Sequence, residues 1–154
     1  MRIVVTGASG KVGGEVARLL HGAPGIELRL VGRRVERLPE LAGVERATAS
    51  FADAAACRAA FDGADALLLV SAGEADDRLD QHRTAIEAAA DAGVGHVVYT
   101  SFLGASPTAG FTLARDHAAT EDMLRGSGMG WTFLRDPAPY AGRTLDLTGP
   151  VTLL

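Results

Sequence analysis

The sequence predicts a doubly wound α/β fold, a parallel sheet of about six strands with helices on both faces. Three observations predict it. Short runs rich in β-branched and aliphatic residues alternate with helical patterns along the chain. Each run is continuous rather than alternately polar, as expected of strands buried on both faces of a parallel sheet. Connections are short, and the first of them is built from glycine, at positions 7, 10 and 13.

The elements follow in order. Residues 2–6, Arg-Ile-Val-Val-Thr, form the first strand, and the pattern of residues 11–21 forms the first helix. A second strand is expected at 27–31, then a helix site at 35–41 that Pro39 weakens, then a third strand at 45–49. Residues 53–61 make a helix that Asp53 can cap, and the strand 66–71 follows. A helix over 78–92 stops at Gly93, a residue suited to the left-handed position past a helix end. The strand 96–100, the helix 113–125 and the strand 131–134 complete the alternation. From Asp136 onward the pattern ceases, and residues 136–154 read as an irregular tail holding three of the six prolines.

Composition narrows the partners. The chain is 47% hydrophobic and 22% charged, with a formal net charge of -4 and no basic run longer than Arg33-Arg34. No electrostatic footprint for nucleic acid or an anionic membrane is present, so a small-molecule ligand is expected. The single Cys57, in an alanine-rich helix, reads as a buried hydrophobe. No apolar segment has the length of a signal or a membrane span, and a cytoplasmic protein is expected.

Gly7, Gly10 and Gly13 lie between the first strand and the first helix, which is the setting a dinucleotide-binding turn requires. A diphosphate can approach the main chain only where no Cβ intervenes, and the backbone N–H groups of Ser9, Gly10, Lys11 and Val12 would face it from the positive end of the helix dipole. The alternative is a tight turn that binds nothing. Arg33 stands twenty residues after Gly13, where an NAD site carries a carboxylate and an NADP site an arginine. A guanidinium can pair with a 2′-phosphate, and Arg34 can add charge or stack on adenine, so NADPH is the expected cofactor.

These residues, together with "LLLVS", "QHRTAIEAAADAGVGHVVYTSFLGA", "DHAATEDMLRGSG" and "WTFLR", resemble the NmrA-like branch of the atypical short-chain dehydrogenases, on the side of its NAD(P)H:quinone oxidoreductases. The resemblance covers residues 1–135. It implies a Rossmann-like NADP-binding domain, with Gly7 to Gly13 on the phosphates and Arg33 on the 2′-phosphate. It further implies contacts from Ser71 and Ala72 after the fourth strand, and from Thr100 and Ser101 after the fifth, near the nicotinamide. Ser50 stands where members usually carry an aspartate at the adenine. After Arg135 the family's Glu-Asn and long substrate segment are not found, so the sequence resembles a cofactor domain without its lid. An apolar strip at the place of that lid makes a homodimer an expectation.

The Tyr and Lys spaced by four that typical short-chain dehydrogenases use are absent; Leu113 and His117 occupy those places. His117, early in its helix and with an ordinary pKa near neutrality, is the candidate catalytic residue, either as proton donor or on the nicotinamide ribose. An inward histidine bonded within the fold is the alternative, and for His82 that packing reading is preferred. No metal site is expected: Asp76, Asp77 and Asp80 suit a helix start. Two functions stay open, an NADPH-dependent oxidoreductase passing hydride to a quinone-like acceptor and a redox sensor that binds NADP(H) without turnover.

Overall fold

The structure, a computed structural model, describes residues 1–136. Six parallel strands form one sheet: β1 (Arg2–Val5), β2 (Glu27–Gly32), β3 (Glu45–Thr48), β4 (Ala66–Leu69), β5 (His96–Phe102) and β6 (Gly130–Asp136), in the order β3-β2-β1-β4-β5-β6. Four helices connect them, α1 (Lys11–Leu20), α2 (Ala54–Phe61), α3 (Arg78–Asp91) and α4 (Thr112–Gly126). The expected fold class is the observed one. In place of a helix at 35–41 there is a single 3-10 turn, Val35–Arg37, because Pro39 cannot continue a helical ladder.

Right-handed crossovers divide the helices between the faces. Moving from β1 to β3 puts α1 on one face, where Ala17 packs with Val5, Leu28, Leu30, Leu38 and Leu68. Moving back from β3 to β6 puts α2, α3 and α4 on the other, around Phe61, Leu67, Ile86, Val97, Tyr99 and Leu124. The central strands β1, β2 and β4 are therefore buried as expected. β5 is not: its residues alternate between buried and half-buried, and β3 and β6 are edge strands with exposed positions. The continuous apolar pattern overstated their burial, since no described helix lies over β5 on the α1 face.

Local signals end the helices where the sequence predicts. The Asp53 carboxylate accepts the Ala56 N–H at 2.9 Å, capping α2. Gly93, at φ 75, lets Val94 N–H return to the Ala89 carbonyl at 3.0 Å and closes α3. Asp136, expected in the tail, belongs to β6, where it pairs with Phe102. The rest of the expected tail, 137–154, lies outside the described residues. No helix among the described residues is long and apolar enough to cross a membrane.

Candidate functional site

The carboxyl ends of β1 and β4 meet at the point where the strand order reverses, and the glycine turn is there. Gly7 takes φ 60, and a Cβ on it would lie 3.0 Å from that of Val70, so only glycine fits between the two strand ends. Gly13 is tighter. A Cβ on it would stand 2.6 Å from the Gly7 carbonyl oxygen and 2.7 Å from that of Thr6, which fixes how close α1 lies to β1. Gly10 is the N-cap of α1; no side chain caps this helix and its first turn holds no acidic residue, in contrast to the Asp53 cap of α2. The orphan N–H groups of a first turn, with the dipole behind them, suit an anion. Ser9, Gly10 and Lys11 are exposed on this turn, Val12 is half-buried, and Gly13 is buried beneath them.

Arg33 and Arg34 leave β2 at the same sheet edge, next to the turn. Both are exposed, and neither has an ion pair among the described residues, whereas Arg2, Arg18, Arg29, Arg46, Arg78, Arg125 and Arg135 do. A cationic pair without a carboxylate is what a phosphate needs. Ser50, past the end of β3, is engaged in its own turn, its hydroxyl accepting the Ala52 N–H at 3.3 Å.

On the far side of the turn from Arg33 lie the ends of β4 and β5. The Ser71 N–H donates to the Thr100 hydroxyl at 2.8 Å, so the structure brings Ser71, Ala72 and Thr100 together. Ser101 is not among them. Both it and Thr100 lie within β5 rather than after it, and the buried Ser101 hydroxyl donates at 2.6 Å to Glu121 of α4. Strand alternation sends Thr100 and Ser101 to opposite faces.

Beneath the loop that follows β4 is a buried polar network. The Ala72 N–H donates to His82 Nε2 at 2.9 Å, which fixes the tautomer: Nδ1 carries the proton and donates at 2.8 Å to the Thr120 hydroxyl. Thr120 donates in turn to the Asp116 carbonyl at 2.8 Å. Arg78, 1% exposed, donates from Nε to the Ala72 carbonyl at 3.0 Å and from Nη2 to His117 Nε2 at 3.3 Å. Its Nη1 lies 3.5 Å from the Asp116 carboxylate, an ion pair without hydrogen-bond alignment. An always-protonated guanidinium must be the donor, which leaves His117 Nδ1–H to donate to the Tyr99 hydroxyl at 2.8 Å.

The pKa near neutrality expected of His117 is corrected here. Burial and the Arg78 charge hold it down at about 4, against a smaller upward pull from Glu121, and both ring nitrogens are engaged within the protein. Burial, Arg78 and His117 together hold His82 lower still, at about 3. Both rings are neutral at neutral pH, so His117 is not set to donate a proton as an imidazolium. The segment after β5 exposes two large apolar side chains, Leu103 and Phe111, with Phe111 packed edge-on against Phe102 at 5.5 Å between ring centres.

Sequence reasoning passed over Arg78 and Glu121. Glu121, 2% exposed, receives Ser101, both arms of Arg135 at 2.8 and 2.6 Å, and Arg125 at 3.0 Å. Burial opposes its charge, but these donors hold the carboxyl below its ordinary range. It clamps α4 to β5 and β6. Arg125 also covers Trp131 and Phe133, which stack at 4.5 Å on β6. The spacing of four between Arg78 and His82, which sets both on one helix face, was the available signal for the first.

Residues 7–148 match the family described as NAD(P)H-binding. The chain is 38% identical over 137 residues to quinone oxidoreductase 2 of Escherichia coli K12, covering 87% of this chain and 48% of that protein. Its structure is similar to that of Citrobacter sp. triphenylmethane reductase, with a TM-score of 0.82 and 35% identity over 92% of this chain and 50% of the other. It is also similar to that of the NADPH-dependent quinone oxidoreductase of E. coli complexed with NADPH, with a TM-score of 0.78 and 37% identity over 88% of this chain and 48% of the other. The chain spans about half the length of the curated relatives it matches.

Proposed function

Because the chain belongs to the NAD(P)H-binding family, we propose that it is an NADPH-dependent oxidoreductase whose acceptor is a flat, quinone-like molecule. The observation that carries this is the glycine turn at an uncapped helix start, held tight by Gly7 and Gly13, with an exposed arginine pair beside it that has no ion pair among the described residues. The main-chain N–H groups of Ser9, Lys11 and Val12 would hold the diphosphate, above the buried Gly13 and beside a Gly10 whose own N–H is given to the Gly7 carbonyl at 2.9 Å, and Arg33 would hold the 2′-phosphate, with Arg34 alongside. Ser71, Ala72 and Thr100 would lie toward the nicotinamide end, with Thr100 holding the Ser71 backbone, while Ser101, turned to Glu121, would make no contact there. NADPH supplies the hydride when bound.

The chain's own task is alignment and exclusion of water. The exposed apolar pair Leu103 and Phe111 would line the acceptor's side. A neutral His117, bonded on both nitrogens, gives up no proton at neutral pH, and a reduced quinone can take its proton from solvent. That chemistry fits quinones better than simple ketones, which need an acid at the oxygen. The names of the E. coli quinone oxidoreductase and of an NAD(P)H azoreductase of Xenophilus azovorans support acceptors of this planar kind.

The same neutral histidines favour a second reading, a sensor that binds NADP(H) without turnover. NADPH oxidation in the presence of menadione separates the two: turnover supports the oxidoreductase, and binding without turnover the sensor. Arg33→Ala is expected to weaken NADPH about tenfold or more while leaving NADH nearly unchanged. Equal loss for both would overturn the assignment of Arg33.

A further inference from the structure

We propose that His82 and Arg78 are positioning residues for the nicotinamide end of the cofactor, acting together through the backbone of Ala72. The inference rests on the cofactor reading above. Both polar main-chain groups of Ala72 are taken by side chains of α3: its N–H by His82 Nε2 at 2.9 Å and its carbonyl by Arg78 Nε at 3.0 Å. A loop residue held from both sides by buried side chains has little freedom to turn its peptide groups. Ala72 follows the end of β4, which abuts the glycine turn through Val70 and Gly7. With Arg33 on the β2 side of that turn, the half of a dinucleotide that extends the other way must pass the ends of β4 and β5.

Charge and sterics explain why these two residue types serve. Only a side chain with an acceptor can take the N–H, and only a donor can take the carbonyl, so a neutral imidazole and a guanidinium divide the task. Each is itself fixed from behind. His82 Nδ1 is bound to Thr120, and Arg78 is bound to His117 and paired with Asp116, so α4 holds the two side chains that hold the loop. Neither side chain reaches the cofactor; both are buried under the loop.

The test compares NADPH with adenosine 2′,5′-bisphosphate, which carries the 2′-phosphate side and lacks the nicotinamide half, by calorimetric titration. His82→Leu, which removes the acceptor, is expected to weaken NADPH about tenfold and the bisphosphate less than about twofold. His82→Gln, which can place an oxygen where Nε2 stands, should recover most of the loss. Equal losses for both ligands, or no loss for NADPH, would overturn the proposal. Should His82→Leu fail to fold, the unaltered protein still decides: NADPH, and not the bisphosphate, should shift the Ala72 amide and His82 Nε2 resonances, and their indifference to NADPH overturns the proposal. Failure of the unaltered protein to bind either ligand would instead remove the cofactor reading itself, and this proposal with it.

Discussion

Lowering the pH from 7 to 5 should destabilise the fold through two rings alone. His82 and His117 are held neutral, at about 3 and about 4, against an ordinary value of 6.5. A depressed folded-state pKa means that the stabilisation is complete above the unfolded value and is lost as pH falls toward the folded values, because the unfolded chain takes up protons that the fold refuses. At pH 5 each ring has lost about 2 kcal/mol relative to pH 7, or about 4 kcal/mol for both, from 1.36 kcal/mol per unit. Set against a total stability of about 5–15 kcal/mol, that is a large fraction. Urea denaturation followed by circular dichroism at pH 7, 6 and 5 measures it, and a His82→Gln/His117→Gln chain should show a flatter profile. An unchanged urea midpoint between pH 7 and 5 would refute the argument that these rings are buried and neutral.

Three further outcomes are expected. Gly13→Ala should cost about 2 kcal/mol and weaken NADPH as well, since the new Cβ, 2.6 Å from the Gly7 carbonyl oxygen, must push α1 off the turn; Gly10→Ala, at 3.2 Å, should cost clearly less, by thermal denaturation. Glu121→Gln should cost about 2 kcal/mol in urea, below the usual loss for a broken buried pair, because Arg135 and Arg125 are partly exposed and can turn to water. Cys57 is fully buried, and burial and the nearby Asp53 push its thiol up to about 11, so labelling by a disulfide reagent at pH 8 should proceed only at the rate of unfolding.

How much of this could be read from the chain depends on distance along it. The strand and helix order, the glycine turn, the Asp53 cap and the Gly93 stop are local patterns, and each was predictable within a few residues. The half-burial of β5 was not, because whether a strand is covered depends on which helices share its face. Arg78 reads as a solvated charge at a helix start; its partners His117 and Asp116 lie some forty residues on, with nothing in the spacing to announce them. His82 could be placed on an inward stripe with Leu79 and Ile86, yet its proton's location follows only from the Ala72 amide. Ser101 was misplaced by one strand residue, enough to turn its hydroxyl from the cofactor edge to Glu121.

The strand order also bears on how the chain matures during synthesis. β1 pairs with β2 on one flank and with β4 on the other, and its partners on the second flank, Ala66 to Leu68, come some sixty residues later than Ile3 to Val5. A nascent chain can therefore assemble β1, β2 and β3 early, but the flank of β1 that ends at the glycine turn stays bare until β4 emerges. At about 5–20 residues per second, the interval between β3 and β4 lasts a few seconds, during which that bare edge is open to wrong partners. The strand that will build the phosphate cradle is thus the one left longest waiting for its neighbour.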